Sequence, residues 1–272
     1  MINPHAEPAE RVRRRWISAL VLAPVAVAVC WIGGWPFAAV ISLLAAAMAY
    51  EWDRLVGRGG GALGPAVIAW APAACAPATM VLGPGAALIL LAVGFASALL
   101  FAPGGRAGRL WFALGVVYIG LPALSVMDIR LAPDFGRELA LTLFFVAWAS
   151  DSGAYLVGTA VGGPKLIPSL SPSKTWAGLI GAAFCGGAFA LFSAVLNRVS
   201  PLLLYLFLGI LIALIVQMGD LLESSLKRRF EAKDTGGLIP GHGGVMDRLD
   251  GLGFAAVVVA PVLHIIREVR LL

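Results

Sequence analysis

The chain has 272 residues, of which 60% are hydrophobic and 13% charged, and its mean hydropathy is +0.91. Soluble domains carry about 25% charged residues, so a soluble globular fold is excluded and an all-α, polytopic integral membrane protein is expected. The net charge of +5 reads as membrane topology together with phosphate handling, and no nucleic-acid partner is expected.

Charge-free stretches run over 16–50, 59–105, 110–127, 139–150, 175–197, 199–219 and 251–266. A spanning helix needs about 20 apolar residues, so the first two stretches hold two helices each. They divide at Gly33-Gly34-Trp35-Pro36 and at Leu82-Gly83-Pro84-Gly85. The expectation is about nine spans in one integral domain over 1–272, with 1–130 mainly scaffold and the chemistry within 145–250. The basic start followed by an apolar run looks like a signal peptide, but a second apolar helix follows at once, so it reads as an uncleaved membrane anchor. Cys30, Cys75 and Cys185 lie in spans without metal-like spacing and read as packing residues.

Arg11, Arg13, Arg14 and Arg15 precede the first span and place the amino terminus in the cytoplasm. With alternate loops assigned from there, fifteen of the twenty Lys and Arg fall on the cytoplasmic side and five on the other. This bias puts the charged segment over 220–250 in the cytoplasm.

Glu138 begins the sixth span, and Asp151 follows it by about 20 Å of helix at about 1.5 Å per residue, short of a full crossing. A carboxylate inside the membrane is costly and faces a polar cavity; Trp148, Asp151 or Ser152, and Tyr155 share one stripe. The plainer alternative is a helix that ends at Asp151. The loop from Gly162 to Trp176 supplies Lys165, Lys174 and hydroxyls that include Ser171 and Thr175, donors suited to anionic oxygens. Read plainly, it is a polar loop with cytoplasmic lysines. In the following span Gly178, Ala182, Gly186 and Ala190 make a small-residue face for close helix packing, with a homodimer contact as a second use.

Between Ser224 and Asp250 the chain concentrates Lys227, Arg228, Arg229, Lys233 and Arg248 with three aspartates, glycines and a histidine. Basic groups beside carboxylates and glycines suit phosphates held with a hard divalent cation. Asp220, Ser224 and Lys227 or Arg228 fall on one helical face, while Glu223 and Lys227 read as a solvated i,i+4 pair. Gly236 and Gly237 break the helix, and the loop Pro240 to Gly244 offers backbone N–H groups that can approach a triphosphate, with Gly243 and Gly244 unobstructed. His242 reads as a phosphate donor or a structural loop residue. Mg²⁺ takes one or two carboxylates with substrate phosphates and water, and Asp220 and Asp247 are the expected pair. Asp151 joins that shell or holds a lysine, and Asp250 pairs with Arg248.

Ser224, Leu226, Lys227, Arg228, Lys233, Asp234, Gly236, Ile239, Pro240, His242, Gly243, Gly244, Val245, Asp247, Arg248, Leu249 and Asp250 resemble the long signature of the phosphatidate cytidylyltransferase family. Trp148 with Asp151 to Tyr155, and Ser171 to Gly178, are similar to two further family segments. The resemblance implies an integral membrane enzyme that joins CTP and phosphatidic acid to give CDP-diacylglycerol and pyrophosphate, using Mg²⁺, as a homodimer with a polar cavity facing the cytoplasm, and the expected location is a bacterial inner membrane. It also implies a paired metal site at Asp220 and Asp247, with K⁺ as a candidate second ion. Ala177 and Thr159 depart from the acid and the basic residue usual in the family at those positions, so charged contacts made there have no equivalent in this chain.

Under this reading Lys174, Lys227, Arg228, Lys233 and Arg248 shield triphosphate charge. Asp151, Ser171, Thr175, Ser224, His242, Gly243 and Gly244 contact substrate. A CTP-dependent lipid kinase would release CDP instead of pyrophosphate, and a transporter would bind the same anions without turnover.

Overall fold

A computed structural model describes residues 21–56, 63–103, 105–238 and 243–271. The helices are α1 (Val21–Ile32), α2 (Gly34–Val56), α3 (Leu63–Leu82), α4 (Pro84–Phe101), α5 (Arg106–Arg130), α6 (Gly136–Val161), α7 (Trp176–Leu196), α8 (Leu202–Arg229) and α9 (Met246–Leu271). Eight of them, α2 to α9, are long and apolar enough to cross a membrane, and α1 is a shorter apolar helix whose preceding residues lie outside those described. The chain is an all-α, polytopic integral membrane protein. One addition to the expectation is a two-stranded antiparallel hairpin, β1 (Lys165–Ile167) with β2 (Ser171–Thr175). The described chain groups into two compact units, 1–137 with 230–249 and 138–229 with 250–272.

The first unit contains α1 to α5. Gly33, at φ +68°, separates α1 from α2, and Gly83, at φ +88°, separates α3 from α4. Both lie at the expected turn signals. At the first turn a side chain would meet the Arg130 guanidinium. That guanidinium donates through Nε to the Cys30 carbonyl at 2.6 Å and through Nη2 to the Trp31 carbonyl at 3.1 Å. A cation from the end of α5 thus closes the exposed carbonyl end of α1.

Inside α3, Pro77 has no N–H for the Ala73 carbonyl, a costly vacancy at membrane depth. Ser42 of α2 fills it, its hydroxyl donating to Ala73 O at 2.6 Å. Small residues let these helices close up. Gly94 faces the Ala71 methyl, and Gly115 lies under the Trp52 indole, whose Nε1 donates to Trp111 O at 3.0 Å.

The second unit is built on α6, α7, α8 and the remainder of α9. Gly178, Ala182, Gly186 and Ala190 are all buried, so the expected small face packs internally. A Cβ on Gly186 would lie 2.6 Å from the Ala213 methyl, and one on Gly153 would lie 2.5 Å from Gly181 O. Backbone therefore approaches backbone between α7 and α8 and between α6 and α7. Similarly, Gly219 of α8 meets the Asp250 carbonyl and Gly251 of α9.

Candidate functional site

The hairpin and the start of α7 position Lys174. Pro164, Pro168 and Pro172 deny this stretch a helix, and β1 pairs with β2 in the register Lys165 to Thr175 and Ile167 to Ser171. Thr175 then serves as N-cap of α7, its Oγ1 accepting from Gly178 N at 3.0 Å. Thr175 and Ser171 are both buried. Lys174 is held between a paired strand and a capped helix, which limits where its ammonium can reach.

Lys174 Nζ donates to Asp220 Oδ2 at 2.7 Å and to Gln217 Oε1 at 2.9 Å. Gln217, on α8 and 4% exposed, donates through Nε2 to Asp151 Oδ1 at 3.0 Å and to Ser150 Oγ at 3.3 Å. One amide therefore links a cation to a carboxylate, and α6, β2 and α8 converge on it. Asp151 does not end its helix: α6 continues ten residues beyond it to Val161. The alternative of a helix terminus there is set aside.

One turn along α8 from Asp220, Glu223 accepts from Lys227 Nζ at 2.8 Å. Glu223 is only 3% exposed and its Oε1 has no hydrogen-bond partner, so this pair is buried where a solvated one was expected. Asp250 sets its carboxyl against that of Glu223 and accepts from Gly251 N at 2.8 Å. A Cβ on Gly251 would lie 2.8 Å from Asp220 Oδ1, so the absence of a side chain there leaves that carboxylate its place. Arg228 Nε reaches the Leu170 carbonyl of the hairpin turn at 3.4 Å, and Ser224 is partly buried on the same helix. The acids at 151, 220, 223 and 250 bring like charges into one region, and Lys174 and Lys227 offset part of that repulsion.

The first unit contains the loop part of the signature. Asp247, in the first turn of α9, accepts through Oδ2 from Gly244 N at 2.9 Å and from Thr235 N at 3.3 Å. Gly243 has φ +85°, and a Cβ on it would lie 3.1 Å from Asp247 Oδ2. Glycine is needed there for both conformation and approach. Asp247, Arg248 and Asp250 lie within the last helix, which begins at Met246, five residues before the charge-free stretch over 251–266. Lys233 and Arg248 are exposed. His242 and Pro240 lie outside the described residues.

Two residues near these groups were not among the expected site residues. Gln217 is a lone amide in an apolar run, one turn before Asp220, and an intramembrane polar group at that spacing was the available signal. Glu51 of α2 is fully buried and accepts from Val245 N and Met246 N, both at 2.9 Å. In the sequence it only marks the end of a charge-free stretch.

Residues 13–266 match the model of the cytidylyltransferase family. The chain is 39% identical over 248 residues to a phosphatidate cytidylyltransferase of Brucella suis biovar 1 (strain 1330), covering 90% of each chain. It is also 36% identical over 145 residues to the phosphatidate cytidylyltransferase of Bacillus subtilis (strain 168), covering 53% of this chain and 54% of that one. The Brucella relative aligns through the scaffold helices as well as the polar residues, so the likeness is not confined to the signature. With the family model covering nearly the whole length, the chain belongs to the cytidylyltransferase family.

Proposed function

We propose that this protein transfers the cytidylyl group of CTP to phosphatidic acid, giving CDP-diacylglycerol and pyrophosphate, in phospholipid biosynthesis. The observation that carries the reading is the constellation of Lys174 on β2 with Gln217, Asp220 and Asp151 on the apolar helices α8 and α6, in a chain of this family. A lysine tied to an aspartate among membrane helices suits a charged substrate carried on a lipid.

A phosphate oxygen of phosphatidic acid is already an anionic nucleophile. It attacks the α-phosphorus of CTP, forming a P–O bond as the bond to the β-phosphate breaks and pyrophosphate leaves. No covalent enzyme intermediate is required. The chief obstacle is electrostatic, because two anions must meet, and Lys174, Lys227, Arg228, Lys233 and Arg248 are the cations we assign to that task. Ser171, Thr175, Ser224 and the loop of His242, Gly243 and Gly244 remain assigned to substrate binding, with Thr175 acting through the start of α7.

Asp220 has the carboxylates of Asp151 and Asp250 in its neighbourhood and bonds Lys174 through Oδ2. No group of three such residues is set to hold an ion by itself among the described residues, which suits Mg²⁺ taken on one or two carboxylates with substrate phosphates and water completing its shell. When bound, Mg²⁺ neutralises triphosphate charge and favours departure of pyrophosphate. Asp220 and Asp247 are the carboxylates we assign to metal, each on the chemistry of its own surroundings, with K⁺ as a candidate second ion. The functional state is proposed as a homodimer in the bacterial inner membrane, with the amino terminus and a polar cavity on the cytoplasmic side.

Product analysis tests the reaction class. Purified protein given CTP, phosphatidic acid and Mg²⁺ should release one pyrophosphate per lipid converted. Release of CDP would identify a lipid kinase, and binding without turnover would identify a transporter.

A further inference from the structure

We infer that Glu51 is a positioning residue that orients the backbone over 244–246, and Asp247 with it, from within the first unit. The inference rests on the assignment of Asp247 to metal in the proposed function. Glu51 is fully buried, and its two oxygens accept separately, Oε1 from Val245 N and Oε2 from Met246 N, both at 2.9 Å. Those amides open α9, whose first N–H groups have no partner within the helix. Asp247 follows directly, and its Oδ2 holds the Gly244 and Thr235 amides. Two carboxylates, one from α2 and one from α9, thus fix the same short stretch of backbone.

The surroundings leave Glu51 little freedom. A Cβ on Gly236 would lie 2.6 Å from Glu51 Oε1, and one on Gly244 would lie 2.8 Å from Oε2. Both glycines make room for this carboxylate. Only a carboxylate fits the donor pattern, because a glutamine would turn an N–H toward one of the two backbone N–H groups. Groups that orient a metal-binding residue typically change metal affinity or activity by about 10–100-fold when removed.

The test uses the full-length protein in detergent. Glu51→Gln is expected to raise the Mg²⁺ concentration for half-maximal activity by about tenfold or more, with the KM for phosphatidic acid within about twofold of wild type. Hydrogen exchange in peptides covering 243–249 should accelerate while the α7 and α8 peptides stay unchanged. Gly236→Ala, which crowds Glu51 without removing it, should give the same pattern and carries the test if Glu51→Gln does not accumulate. Asp53→Asn is the structural control: Asp53 is 3% exposed on the same helix and its Oδ1 has no hydrogen-bond partner. That variant should leave the Mg²⁺ requirement and the 243–249 exchange as they are, whatever it does to thermal stability.

Unchanged exchange and Mg²⁺ dependence in Glu51→Gln or Gly236→Ala, or the same changes in Asp53→Asn, would overturn the inference. Near-normal turnover by Asp247→Asn would instead remove the metal assignment, while accelerated exchange in Glu51→Gln would still show that Glu51 holds the loop.

Discussion

At the scale of single residues, the site is a set of charges that must not neutralise one another completely. Lys174 bonds to Asp220 and, through Gln217, is linked to Asp151. Asp220→Asn keeps the side-chain volume but removes the charge, and it is expected to abolish turnover while the protein still accumulates folded in membranes; activity with quantified membrane protein checks this. Gln217→Leu removes the amide bridge and should lower activity by about tenfold, in line with about 1–3 kcal/mol for a lost buried hydrogen bond. Of these groups, Asp220, Asp151 and Lys174 were legible in the sequence because charge in an apolar chain is conspicuous. Gln217 and Glu51 were not, because their role depends on partners 66 and 194 or more residues away. Glu223 was legible as half of a helical pair with Lys227, but its burial was not, since spacing along a helix does not say which face is covered.

At the scale of elements, the same site depends on how closely α6, α7, α8 and α9 can approach. Gly33 and Gly83 divide the long apolar stretches where expected, but α5, α6 and α9 run past the charge-free stretches that marked them, because a helix continues through charged residues at its ends. The small-residue face on α7 was also readable, though its partners Gly209 and Ala213 on α8 were not. Gly186→Val should therefore force these helices apart and lower stability by about 1–3 kcal/mol, measured as a fall in thermal midpoint. The hairpin was missed because its strands are three and five residues long with no hydrophobic alternation. It arises where prolines exclude helix and a Thr cap must follow. Thr175→Ala should cost about 1 kcal/mol, and because the cap adjoins Lys174 it should also raise the KM for CTP.

For the whole molecule, composition alone required a membrane protein, since burial cannot hide so much apolar surface inside one chain of this size. The clustering of polar residues after residue 145 is the basis for expecting chemistry there and scaffold before it, yet Glu51 of α2 accepts from the Val245 and Met246 amides of the signature. A single cysteine introduced near residue 5, on a background with the three native cysteines replaced, should react with a membrane-impermeant maleimide only when the cytoplasmic face is open. Labelling from the outer face of intact cells would reverse the proposed orientation.

The central claim is cytidylyl transfer, and CTP labelled in the cytosine ring tests it most directly. With phosphatidic acid and Mg²⁺, label should pass into the lipid phase in step with pyrophosphate release for the wild-type protein and not for Asp220→Asn. Phosphorylated lipid without the label, accompanied by free CDP, would contradict the account.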